Sequence, residues 1–335
     1  MEEYRGPDAL LMPTDLILSD HSQNSEVGFL ADIADRASAF AHRSKAENTI
    51  RAYRSDWCHF EGWCKAHGQS ALPATPETVA MYVTDLSTTH KTATITRRIS
   101  AISQAHQIAG LETPTKSSQV RLVLAGIRRT KGTAQAAKTP VLVDDLRQMI
   151  ARLPENLLGV RDRALLLIGF AGAFRRSELV ALDVADVGVT RDGLVVTIRR
   201  SKTDQEGEGR KIGIPYGSNP DTCPVRSLQD WLQHCRFTEG PLFRPIDRFG
   251  KVASIRLSAA AVADIVKRYA AAAGLKASDF AGHSLRSGLA TSAAMAGASE
   301  RAIMNQTGHR SVNTLRRYIR DGSLFRENAV ALVGL

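Results

Sequence analysis

A mainly α chain of two domains is what the sequence predicts, and three observations predict it. Apolar residues recur at three- and four-residue spacing from about residue 45 to 132 and again from 141 onward, the period of helices with one buried face. Strand-like alternation is convincing only in "GLVVTIRRS" (193–201) and "GRKIGIP" (209–215), enough for a small antiparallel sheet. Between the two helical regions, "TKGTAQAAKTPVL" (130–142) has no apolar period and is rich in small residues, so it reads as a linker. A length of 335 residues suits two cores better than one.

Taken in order, residues 1–25 are acidic and mixed and read as a mobile tail, and residues 26–129 as a four- or five-helix domain. In "KAENTIRAYRSDWCHFEGWCKAHG" the residues Ile50, Tyr53, Trp57, Phe60 and Cys64 form one apolar stripe. The next helix begins with Thr75 as N-cap and Pro76 in its first turn, and turns Val79, Tyr82, Val83 and Leu86 inward. A third, "TATITRRISAISQAHQIAG", buries Ile95, Ile99 and Ile102 and stops at Gly110. A fourth, "SSQVRLVLAGIRRTKG", ends in Arg128, Arg129 and Lys131. From 143 to 335 the pattern predicts helices over "LVDDLRQMIARLP", "GVRDRALLLIGFAGAFRRSELVAL", 224–235, "SAAAVADIVKRYAAAAG", "SLRSGLATSAAMAG" and "TGHRSVNTLRRYIR", with "KTDQEGE" as the loop of the hairpin.

Charge narrows the partner. Lys and Arg total 44 against 34 Asp and Glu, a net charge of +10. Residues 1–40 hold eight acids and two bases, so residues 41–335 carry +16. Such a surplus points to a polyanion, above all nucleic acid. Arg51, Arg54, Lys91, Thr94, Arg97, Arg98, Arg128, Arg129 and Lys131 lie beside or away from the apolar stripes and are the candidate contacts to a phosphate backbone; a solvated face is the alternative for any one of them. The basic linker suits a path along DNA. No run approaches the roughly 18 apolar residues of a membrane span, and the N-terminus shows no signal-peptide pattern, so a cytoplasmic, nucleoid-associated protein is expected. Cys58, Cys64, Cys223 and Cys235 are too few and scattered for a disulfide framework. Cys58 and Cys64, six apart, do not share a helix face, so no zinc site with His67 and no other metal or cofactor is expected.

Four separated pieces of the second domain carry chemistry. "AFRRSEL" places Arg175 and Glu178 three apart, and "RRSKTDQ" places Lys202 at the hairpin tip. "GHSLRSG" places His283 and Arg286 three apart, and "TGHRSVNTLRRYIR" places His309 nine residues before Tyr318. Each alone has a plain structural reading: an exposed ion pair, a solubility lysine, a helix cap, a core tyrosine. All seven in this order resemble the tyrosine recombinase (phage integrase) family. The wording at "SKT", "GHSLRSG" and "YIR" is similar to the Cre type, though His309 stands where Cre has tryptophan.

The chemistry accounts for these residue types. A tyrosine hydroxyl attacking a DNA phosphodiester builds negative charge on the non-bridging oxygens, and Arg175 and Arg286 can each present a fork of donors to them. Losing one such donor typically costs about 10²–10³ in rate. His309 would add a third donor. His283 would accept the phenolic proton, directly or through the network, or hold the phosphate. Lys202 would protonate the leaving 5′-oxygen, Glu178 would orient Arg175, and Tyr318 would end as a 3′-phosphotyrosine that keeps the bond energy for religation.

The resemblance implies an all-α, SAM-like core-binding domain and a mainly helical catalytic domain with a small sheet. It further implies double-stranded DNA with inverted-repeat half-sites as the substrate, bound by a dimer per site and a tetramer in the synapse. A topoisomerase IB-like relaxing enzyme and an inactive DNA-binding protein are the alternatives. After Tyr318 the apolar residues Leu324, Phe325, Val330, Leu332 and Val333 must be buried somewhere. They dock either on their own domain or, as the resemblance implies, on a neighbouring protomer.

Overall fold

The structure is a computed structural model, and it describes residues 36, 47–133, 138–201, 204, 208–313, 315, 316 and 318. The expectations for residues 1–25, for Lys202 and for the apolar tail after Tyr318 lie outside these residues. The chain divides into two compact units, one ending at Gln135 and one beginning at Ala136.

The first unit contains α1 (Glu47–Ala66), α2 (Pro76–Thr89), α3 (Thr92–Ile108) and α4 (Ser118–Lys131). Local chemistry sets the starts. Thr75 Oγ1 accepts the Thr78 N–H at 3.2 Å with Pro76 behind it, and Ser117 Oγ caps α4 in the same way. Gly132, at φ 73°, ends α4 in a conformation that favours glycine. Trp57, Phe60, Cys64, Val79, Tyr82, Val83, Leu86, Ile95, Ile102, Val120 and Leu124 make the core. Ile50 and Tyr53, at the start of the α1 stripe, are only half-buried.

One charge also goes inside. Asp56 is buried and accepts two bonds from Arg97, Nε at 2.7 Å and Nη2 at 2.8 Å. A buried carboxylate is costly unless paired, and it draws the next arginine in with it. Arg98 is buried, with Nε 3.6 Å from Asp56 Oδ1 and Nη1 donating to Tyr82 Oη at 3.3 Å. Arg98 therefore does not lie on an exposed flank, as the sequence pattern predicts; it is part of the core of this unit.

The second unit contains α5 (Val143–Ile150), α6 (Leu157–Ala171), α7 (Arg176–Ala181), α8 (Pro224–Cys235), α9 (Ala259–Ala272), α10 (Ser284–Met295) and α11 (Glu300–Thr307). Its sheet is antiparallel in the order β1 (Val187–Thr190), β2 (Gly193–Ile198) and β3 (Arg210–Pro215). Helix α6 is apolar nearly all round and lies at the centre, packed against α8 and α10. Strand β1 escapes the sequence pattern because it is a four-residue edge strand with three residues exposed, so no inward–outward alternation marks it.

Two further differences matter to the site. The single helix expected over 159–182 is broken between Ala171 and Arg176. Ala173 has φ 49°, and a Cβ at Gly172 would meet the Phe174 ring at 2.1 Å, so the buried Phe174 folds back over a glycine and turns the chain. The last residues of the expected linker belong to the second unit. Val141 is fully buried, its N–H donates to the Ser284 carbonyl at 2.9 Å, and Thr139 N–H donates to the Asp279 carbonyl at 2.8 Å. A Cβ at Gly288 would lie 1.9 Å from the Val141 carbonyl oxygen, so α10 packs directly on this segment. A lone buried valine produces no period and leaves no signal in the sequence.

Candidate active site

The turn after α6 builds the first half of the site. Arg175 is the N-cap of α7 rather than a residue within one long helix, and its backbone N–H donates to Glu178 Oε2 at 3.0 Å. Its Nη1 donates to Glu178 Oε1 at 2.5 Å. The buried Glu178 thus holds both ends of Arg175. The turn also presents the Ala173 carbonyl, which accepts Arg286 Nη1 at 2.7 Å.

Arg286 stands in the first turn of α10, three residues after His283, which caps that helix. It is 1 % exposed. Burial, then Arg175, lowers its pKa to about 10, with Glu178 acting in the opposite direction. The guanidinium remains charged at neutral pH, in surroundings where its field is poorly screened.

The stretch 307–320 is not one helix. Thr307 closes α11, Gly308 turns the chain at φ 66°, and helical residues resume at Val312. His309 sits in the loop between. Its tautomer follows from its neighbours: Thr307 Oγ1 donates its one proton to the Ile303 carbonyl at 2.7 Å, so it accepts from His309 Nδ1 at 2.8 Å. His309 Nε2 is then the acceptor for Arg286 Nη2 at 3.2 Å. Burial, then Arg286 and Arg175, pushes the His309 pKa down to about 4. In this arrangement the outward nitrogen of His309 accepts a bond rather than donating one.

Tyr318 is held by its own helix, whose Leu315 is fully buried against Ala290, Ala294 and Ile303. Its hydroxyl lies 2.9 Å from His283 Nε2, and its ring centroid is 5.8 Å from that of His309. His283 is exposed on its outer side, yet desolvation by the packed site, then Arg286 and Arg175, lowers its pKa. The neutral ring can therefore accept the phenolic proton.

Six of the seven expected residues come together in this way: Arg175, Glu178, His283, Arg286, His309 and Tyr318. Lys202 lies outside the described residues. Three contributors were not legible: the Ala173 carbonyl, Thr307, and Arg210, whose Nη2 is 3.9 Å from Glu178 Oε2. Ala173 and Thr307 begin two of the quoted stretches, but a backbone carbonyl leaves no trace in residue type, a threonine there is not marked as a partner of His309, and Arg210 belongs to no short motif. Among the described residues there is no group of His, Cys, Asp and Glu that could hold a metal ion, and no helix long and apolar enough to cross a membrane.

The basic residues of the first unit divide. Arg51 is exposed and pairs with Glu47 at 3.3 Å, Lys91 is exposed at the start of α3, and Arg54 and Thr94 are half-buried. Arg128, Arg129 and Lys131 are exposed, with Lys131 Nζ donating to the Ser87 carbonyl. Arg97 keeps about half of its side chain in solvent while clamped to Asp56.

A helical first unit, a helical second unit with a three-stranded sheet, and a tyrosine among arginines and histidines define a DNA strand-transfer enzyme class. Residues 141–323 match the phage integrase family, and residues 39–112 match the N-terminal SAM-like domain of phage integrases. An integrase/recombinase XerD homolog of Selenomonas ruminantium is 45 % identical over 293 residues, covering 86 % of each chain. The Cre recombinase of Escherichia phage P1 is 26 % identical over 297 residues, covering 82 % of this chain and 84 % of its own. In fold, the chain is similar to the XerH site-specific recombinase bound to a palindromic difH substrate, with a TM-score of 0.67, 17 % identity and coverage of 100 % and 99 %. The chain belongs to the phage integrase family; it is a tyrosine recombinase, an enzyme that cleaves and rejoins DNA strands at specific sites.

Proposed function

We propose that Tyr318 is the nucleophile of this recombinase. The single observation that carries the reading is the 2.9 Å contact of its hydroxyl with His283 Nε2, within a cluster that also holds Arg175 and Arg286. The phenolic oxygen attacks the scissile phosphorus and its proton passes to His283. The bond from phosphorus to the 5′-oxygen breaks, and Lys202 supplies the proton that this oxygen takes up. Arg175 and Arg286 bind the non-bridging oxygens, and Glu178 keeps Arg175 oriented. His309 Nε2 carries no proton in the arrangement described, so the ring joins them as a donor only once it takes up a proton or shifts to the other tautomer. No cofactor takes part, because the phosphotyrosine conserves the energy of the cleaved bond.

The substrate in this reading is double-stranded DNA carrying inverted half-sites, bound by a dimer at each site and by a tetramer when two sites meet. Exposed cations of the first unit, Arg51, Lys91, Arg128, Arg129 and Lys131, meet the phosphate backbone. The apolar tail, with Leu324, Phe325, Val330, Leu332 and Val333, docks on a neighbouring protomer. An apolar cavity of about 390 Å³, lined by Val143, Leu146, Phe170, Ile214, Tyr216 and Leu289 among others, supports that assembly as a receptor of suitable chemistry.

A nicked suicide substrate tests the central assignment. Tyr318→Phe is expected to bind the half-site as the wild type does and to form no covalent adduct; an adduct with the phenylalanine variant would put the nucleophile elsewhere.

A further inference from the structure

Behind the Arg175–Glu178 pair stands a third guanidinium that no motif marks. Arg210 is the first residue of β3, at the foot of the loop that carries Lys202. Its side chain is 23 % exposed. Nη1 donates to the Gln306 carbonyl at 3.1 Å, three residues before His309. Nη2 is buried 3.9 Å from Glu178 Oε2, the oxygen that accepts the Arg175 N–H, and makes no hydrogen bond among the described residues.

Two neighbours show how closely the elements meet at this point. A Cβ at Gly308 would lie 2.8 Å from Arg210 Cζ and 2.9 Å from its Nε, so the backbone before His309 rests on the guanidinium. Gln306 Nε2 completes the bridge by donating to the Ala171 carbonyl at 2.7 Å and to the Gly213 carbonyl at 3.2 Å. On the loop side, Asp204 accepts the N–H groups of Glu208 and Gly209 at 3.1 Å and 2.8 Å, which ties the returning arm of the loop to the start of β3.

Desolvating a guanidinium costs free energy, and the shift of Arg210 reflects it: burial lowers its pKa while Glu178 opposes the change. A cation placed only for solubility would remain in water. A cation that holds three elements in register has to be at their junction.

We propose that Arg210 is a positioning residue for strand cleavage, fixing the start of β3 to Glu178 and to the Gln306 carbonyl so that β3, the Arg175 turn and the His309 loop keep one arrangement. The inference rests on the roles proposed above for Arg175, Glu178 and His309. It requires the two-point reach of a guanidinium. A lysine supplies the charge but cannot span a carbonyl and a carboxylate in the same geometry.

The test is single-turnover cleavage of a nicked suicide substrate by the full-length chain, with half-site affinity and thermal melts alongside. Arg210→Ala and Arg210→Lys are each expected to cleave about 10–100-fold more slowly, as small misplacements of catalytic groups do, with half-site affinity within about twofold of wild type. In a Glu178→Gln background Arg210→Ala should cost at least about threefold less than it does alone, because one partner it acts through has lost its charge. Wild-type cleavage by Arg210→Lys, unchanged cleavage by Arg210→Ala, or an equal cost in both backgrounds would each overturn the proposal. Should Arg210→Ala melt below the assay temperature, the lysine variant decides. Failure of the underlying reading looks different: Tyr318→Phe would still become DNA-linked, whatever residue 210 is.

Discussion

The hydroxyl of Tyr318 lies 2.9 Å from Nε2 of His283, a residue 35 positions earlier at the head of another helix. Nothing local brings them together. His283 is set by α10, which packs on Val141 through the space that Gly288 leaves open, and Tyr318 is set by Leu315 buried against α10 and α11. Hydroxyl and imidazole thus meet only when these helices are packed.

Cleavage should depend on a neutral His283. Burial, Arg286 and Arg175 hold its pKa below 6.5, so the ring is unprotonated at pH 7 and is lost as an acceptor only as the pH falls below that value. A pH–rate profile of single-turnover cleavage is expected to be flat around neutrality with an acid limb below 6.5, and His283→Gln to cut the plateau by about 10²–10⁴. A limb centred above 6.5 would contradict the assignment.

His309 should make stability pH-dependent in a defined window. Its folded pKa of about 4 lies below the usual 6.5, so between these values the unfolded chain binds more protons. Its contribution is fully present above pH 6.5 and is lost as the pH falls toward 4. Melting curves of the wild type and His309→Asn between pH 7 and 4.5 should converge on acidification; parallel curves would mean that the imidazole does not titrate as described.

Lys202→Ala is expected to cleave ordinary DNA poorly and to recover on a substrate whose bridging 5′-oxygen is sulfur, a leaving group that needs little protonation. Equal impairment on both substrates would remove Lys202 from the role of general acid.

The arginines of the first unit should separate into two classes. Arg98→Ala breaks the buried group around Asp56 and is expected to destabilise the protein by about 1–3 kcal/mol, seen as a lower melting temperature. A triple Arg51→Ala, Arg128→Ala, Arg129→Ala variant should melt as the wild type does, since the exposed Arg51–Glu47 pair is worth little. Its DNA affinity should fall across sequences, and the salt dependence should flatten by about one unit of slope for each arginine that had neutralised a phosphate. Unchanged affinity and slope would make these residues a solvated face.

Truncation after Arg320 distinguishes the two ways of burying the tail. Docking on a neighbour predicts normal binding to one half-site and a sharp loss of cooperative binding to two. Docking on the same chain predicts a lower melting temperature together with weaker single-site binding, and cooperativity that survives.

Much of this was legible in the amino-acid order, for a physical reason. The inward faces of α1 to α3 were readable because helical burial repeats every three to four residues, and Thr75 announces a helix start by accepting a bond from the residue three positions on, with Pro76 in the first turn. That Arg175, Glu178, His283, Arg286, His309 and Tyr318 would come together was foreseeable because the proposed phosphoryl transfer by a tyrosine needs few side-chain types, and their order along the chain is restrictive. The break at Gly172–Phe174 was not readable, since it depends on where a phenylalanine ring folds. Nor was β1, which is too short and exposed to alternate.

By itself, then, the sequence determined which residues can do chemistry and which helix faces turn inward, because both are properties of residue type and short-range spacing. Only the tertiary structure decided that Arg98 serves the core while Arg97 stays half in solvent, that Thr307 sets the tautomer of His309, and that Arg210 reaches Glu178 and Gln306. Each of these is a pairing of charges or hydrogen-bonding groups brought together by packing, and a buried polar group takes whichever partner the fold delivers.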